Sequence, residues 1–106
     1  MKMYAIECVD VNFLKEHAQY EEELEVLHDE LFPNEDDMTK ENILVCENQL
    51  LSKKWYIPNV GEWENTDSLY VDEFVHDLKK VNGVSKSIIK KLDIPFDYEL
   101  VEVPHD

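Results

Sequence analysis

The chain holds twenty-five Asp and Glu against ten basic residues, all Lys, for a formal charge of -15 over 106 residues. That length is expected to give one domain, 1–106, and 43% hydrophobic residues with two Trp, five Tyr and four Phe point to a fold rather than to disorder. Anionic lipid is repelled by such a surface, and no apolar run approaches the ~18 residues of a membrane span.

Tyr4 to Val11 reads as a strand, with Tyr4, Ile6 and Cys8 on one face at period two. Asn12 then caps a helix from Phe13 to Phe32. Phe13, His17, Tyr20, Leu24, Leu27 and Leu31 recur at spacings of four and three, an apolar stripe that Pro33 terminates. Pro33 to Met38 is an acidic loop. Thr39 caps a second helix to about Lys54, with Ile43, Cys46, Leu50 and Lys54 on one face and Leu44, Leu51 and Trp55 beside them. A hairpin of Ile43–Cys46 with Leu50–Ile57 is the rival. Its turn, Glu47-Asn48-Gln49, lacks the Gly such hairpins prefer, so the helix is favoured.

Trp55 to Trp63 is extended and then irregular, punctuated by Pro58 and Gly61. Asp67 or Ser68 starts a third helix to about Val81, with Tyr70, Phe74, Leu78 and Val81 on one face, and Asn82-Gly83 stops it. Ser85 caps a short helix through Leu92, with Ile88, Ile89 and Leu92 inward. Phe96 to Val103 is a closing strand. The expected class is α+β: N- and C-terminal strands in a small sheet, with about four helices.

The acids are uneven. Glu21, Glu22, Glu23 and Glu25 crowd the first helix with no Lys beside them, and like charges at such spacings destabilise a helix. Glu22, Glu25 and Asp29 form a line on its outer side, about 4–6 Å apart along the axis. Duplex DNA carries a phosphate every ~3.4 Å of axis on each strand, a comparable density. Glu35, Asp36 and Asp37 extend the acidic stretch, and Glu62, Glu64, Asp67, Asp72, Glu73 and Asp77 form a second group around the third helix. A single acidic side chain on a helix is ordinarily just solvated. A locally unfavourable set without compensating cations is where function is expected.

The cations cluster too: Lys79, Lys80, Lys86, Lys90 and Lys91, with no acid among them. Gly83-Val84-Ser85-Lys86-Ser87-Ile88-Ile89-Lys90-Lys91-Leu92 resembles the turn and second helix of helix-turn-helix domains, and also one helix-hairpin-helix unit. The likeness covers about fifteen residues. It departs at Lys79, where a small Ala is usual, and at Ser85, where a hairpin motif has Gly. It implies phosphate contact through 78–92.

No catalytic signature is present: no HExxH, P-loop, GxSxG, CxxC or EF-hand loop, and only two Gly in the chain. His17 reads as a hydrogen-bonded core residue, and His28 and His76 as incidental neighbours of Asp29, Glu30 and Asp72. No enzyme activity, metal or cofactor is expected. Cys8 and Cys46 read as free thiols of a cytoplasmic protein. The absence of Arg with abundant Lys, Asn and Ile suggests an AT-rich genome, a low-GC bacterium or its phage.

In size, charge and composition the chain resembles phage DNA mimics and anti-defence proteins, anti-CRISPR inhibitors among them. The resemblance implies an inhibitor that fills the nucleic-acid groove of a basic protein, a nuclease or CRISPR effector. Its carboxylates would be Glu21, Glu22, Glu25, Asp29, Glu35, Asp36, Asp37, Glu62, Glu64, Asp72 and Glu73, with Trp55, Tyr56 and Trp63 as aromatic anchors. An immunity protein against a basic nuclease toxin, or a small DNA-binding regulator using 78–92, are the alternatives. The oligomeric state is open, a homodimer included.

Overall fold

In the computed structural model the described residues are 2–60 and 71–104. The architecture is α+β, with terminal strands paired in a small sheet and helices between them. The chain gathers into two compact units: one from the N-terminal segment to Asp10 together with the chain from Lys54 onward, the other Val11–Lys53.

The first unit is built on β1 (Tyr4–Cys8) and β2 (Tyr98–Glu102), antiparallel, with Ile6 opposite Leu100. The odd residues of β1 bond towards β2, as the flanking bonds Val103 N–H to Met3 O (2.9 Å) and Val9 N–H to Asp97 O (3.0 Å) show. The even residues bond the other way. Tyr4 exchanges both bonds with Val84, Ile6 accepts from Ile57, and Cys8 donates to Trp55 O. Tyr56 in turn exchanges both bonds with Val75. So β1 is central, the 55–57 segment extends the sheet on one side, and β2 lies on the other. Trp55, Ile57, Ile6 and Phe74 are buried, and Trp55 meets Phe74 edge-on at 5.8 Å.

The expected helix ending at Val81 is absent over 71–81; its start lies outside the described residues. Val75 is instead bridged to Tyr56, and only Leu78–Lys80 coils, as a 3-10 turn capped by Asp77. Val71, Phe74 and Val81 are still buried. The helical spacing marked the inward residues correctly, but β-branched Val75 satisfies the backbone of Tyr56, a long-range demand that outweighs local period. Gly83 acts by close approach: a Cβ there would stand 2.8 Å from Met3 Cβ. After it, α4 (Lys86–Ile89) is a single turn. It buries Ile89 and leaves Ile88 exposed, against the inward placement expected for both.

The second unit is helical. The helix expected from Phe13 to Phe32 is two helices, α1 (Val11–Glu16) and α2 (Ala18–Leu31). Asn12 lies inside α1 rather than capping it. His17 makes the break: its extended backbone ends one helix, and its Nδ1 accepts from Gln19 N–H at 3.2 Å, so an imidazole serves as the N-cap. α3 (Lys40–Ser52) is helical as expected, not a hairpin, and Thr39 Oγ1 accepts from Asn42 N–H. α2 and α3 pack together, Tyr20, His28, Cys46 and Leu50 are buried, and Lys53, the C-cap of α3, lies 3.7 Å from Glu23 of α2. His28 is thus a core residue, not a surface one, in ring contact with Phe32.

Candidate functional site: the acidic face of the second helix

α2 carries Glu21, Glu22, Glu23, Glu25, Asp29 and Glu30 and no Lys. Burying Tyr20 and His28 fixes the roll of the helix. Glu21, Glu22, Glu25, Asp29 and Glu30 are therefore exposed, and Glu23, half-buried, bonds Gln19 and Lys53. Among the described residues no ion pair or hydrogen bond engages the side chains of Glu21, Glu22, Glu25, Asp29 or Glu30. With a rise of 1.5 Å per residue, Glu22, Glu25 and Asp29 stand about 4.5 and 6 Å apart along the axis, a ladder of unneutralised charge.

The whole helical unit is enriched. Val11–Lys53 holds twelve acids and three Lys, so it carries -9 of the chain's -15. Glu35, Asp36 and Asp37 are exposed in the loop after α2, where Glu35 accepts from the Asn42 side chain at the start of α3. Asp72 and Glu73 are exposed in the other unit, and Glu62 and Glu64 lie outside the described residues. Glu7 is buried in the sheet beside Lys54 (3.8 Å).

The aromatic anchors need correction. Trp55 is 1% exposed and Tyr56 7%, so neither offers a surface. The Trp55 ring also meets the edge of His76, whose Nδ1 lies 2.7 Å from Lys54 O. His76 therefore has a structural contact in place of the incidental one with Asp72. Trp63 lies outside the described residues. The apolar surface at the site is Val26 instead, 58% exposed. It stands one turn from both Glu22 and Glu30 and, with Leu27, floors a groove of about 300 Å³ edged by Glu22, Glu23, Glu30 and Lys53. Sequence reading passed over Val26 because it falls off the core stripe. Its position between two acids at four-residue spacing was the available signal.

Lys79, Lys80, Lys86, Lys90 and Lys91 are all exposed. The two-helix frame their segment resembled is not formed: a three-residue 3-10 turn precedes Gly83 and α4 has four residues. Lys86 lies over the Tyr4 ring, 4.9 Å from its centre.

Neither thiol is primed for chemistry. Burial pushes Cys8 up to about 11 against the lowering effect of its bond to the Asp10 carbonyl, the carboxylates of Asp10, Asp97 and Glu7 add to the rise, and burial also raises Cys46. Burial and the nearby Glu47 carboxylate take Tyr20 up to about 12. No helix among the described residues is long and apolar enough to cross a membrane, and no group of three His, Cys, Asp or Glu among them is placed to share a metal ion. No protein-family model, curated protein or solved structure matches the chain.

Proposed function

We propose that the protein is a small acidic inhibitor, phage-encoded, that binds a basic nucleic-acid-binding protein of the nuclease or CRISPR-effector type and blocks it by DNA mimicry. The observation that carries this reading is the row Glu22, Glu25 and Asp29, exposed on α2 with Glu21 and Glu30 and left without intramolecular cations among the described residues. A fold under no external demand would place Lys at i+4 from such acids, gaining a few tenths of a kcal/mol per pair. The charges on α2 are left for a partner. Their spacing lets Lys and Arg of a phosphate-binding groove meet carboxylates along one line. The role is binding, not catalysis, and a cytoplasmic site of action follows from the kind of target.

The test compares the chain with a variant carrying Glu22→Lys, Glu25→Lys and Asp29→Lys, each immobilised and exposed to bacterial extract at low salt. The expected result is a nucleic-acid enzyme held by the parent, released by duplex DNA or by about 0.5 M NaCl, and not held by the variant. A partner indifferent to DNA and salt, or held equally by both, removes the basis of the reading.

A further inference from the structure

We infer that the outer edge of β2 is a self-association surface, on which a second copy of this chain adds its own β2 antiparallel, in register about Leu100. The inference is independent of the inhibitor reading and rests on the other unit.

The main-chain directions establish the edge. Asp97 and Val103 bond inward to Val9 and Met3, and β2 pairs in unbroken register between them. Alternation along an antiparallel strand therefore turns the N–H and C=O groups of Tyr98, Leu100 and Glu102 away from β1. No backbone bond among the described residues takes them up. The strand is also exposed at Tyr98 (40%), Glu99 and Glu102 and half-buried at Leu100 and Val101. Folds ordinarily protect such an edge by short length, by charged side chains, Lys above all, by Pro or by a bulge. This five-residue edge has no Lys, Pro or bulge, and its only charged side chains are Glu99 and Glu102, whose repulsion salt screens; Pro104 lies two residues beyond its end.

The occupant follows from the order of side chains. Centred on Glu99, a second β2 would set Glu99 against its own copy, and centred on Glu102 it would do the same there. Centred on Tyr98 it would set Asp97 against Glu99. Centred on Val101 it would bring Pro104, which lacks an N–H, opposite Tyr98. Centred on Leu100, Tyr98 faces Glu102, Glu99 faces Val101, and Leu100 meets itself. No like charges are then directly opposed, and about six main-chain bonds form. The Glu99 side chains of the two copies remain diagonal neighbours, about 7–8 Å apart. Both copies are also strongly acidic, so the pair should tighten as salt rises, opposite in sign to binding of a basic partner.

The test is sedimentation of the full chain from about 20 mM to about 0.5 M NaCl, where charges are screened beyond a few Å. The dimer fraction should rise with salt and fall to that of a monomer in Leu100→Pro. That change removes an outward N–H and leaves the bonds to β1 in place; far-UV circular dichroism checks that the variant is folded. In parallel, Leu100→Cys and Tyr98→Cys are oxidised under identical conditions. At a bonded antiparallel pair the Cα atoms lie about 5.5 Å apart, within disulfide reach, whereas Tyr98 and its copy would be about 14 Å apart. Leu100→Cys should cross-link at least about tenfold faster; Cys8 and Cys46 are buried and common to both variants. A monomer at every salt concentration, or equal cross-linking of the two variants, overturns the inference.

Discussion

Val26→Lys should stabilise the protein and, on the proposed function, weaken binding to a basic target at the same time. Val26 lies four residues from Glu22 and Glu30 and three from Asp29, and none of these acids has a cation among the described residues. A Lys at 26 gains three helical pairs of about 0.2–0.5 kcal/mol each, roughly 1 kcal/mol together. Lys is also the better helix former by a few tenths of a kcal/mol. Against this stands the partial burial of Val26, which is 58% exposed. The Lys stem recovers part of that apolar contact, so the net gain is about 0.5–1 kcal/mol at low salt. Urea unfolding should show a midpoint about 0.5 M higher than the parent at low ionic strength. In about 1 M NaCl most of the difference should disappear. Equal midpoints at low salt, or a gain that salt leaves untouched, would refute the claim that this face carries unrelieved repulsion.

Two further outcomes follow from the core. Trp55→Ala should cost about 3–5 kcal/mol of stability through the cavity beside Phe74; a variant that melts like the parent but loses only target binding would return Trp55 to the role of surface anchor. Cys8 and Tyr20 hold their protons more tightly in the fold than their ordinary values of 9.0 and 10.0, reaching about 11 and about 12. The unfolded chain therefore gives up these protons first. Their contribution is complete below about pH 9 and is lost as pH rises through 11 and 12. Urea midpoints should fall over that range, and a midpoint independent of pH from 9 to 12 would contradict it.

The fold class and the exposed acidic row of α2 were legible in the sequence, and several elements between them were not. Glu22, Glu25 and Asp29 were placed on one exposed line by spacing alone, because a helix of 3.6 residues per turn leaves little choice once Tyr20 and Leu24 face inward. The α3 cap at Thr39 was read for a similar reason: the hydroxyl bonds an amide three residues away, an interaction contained within its own segment. The third helix failed because its apolar positions were judged by period. The partner that decides their conformation, Tyr56, is nineteen residues from Val75. Trp55 and Tyr56 failed as surface anchors on the same ground: aromatic character does not tell a core ring from an exposed one.

The sequence by itself determined the charge, its concentration on the first long helical stretch, and the α+β order of elements. These rest on local period and on formal charge, neither of which needs the fold. Only the tertiary structure decided that Trp55 and Tyr56 belong to the core, that His17 breaks one helix into two, and that Val26 is the apolar spot among the acids. It also decided that β2 keeps an open edge. Each of these depends on which distant backbone group takes up a hydrogen bond or which side chains reach the interior first, and long-range pairing sets both.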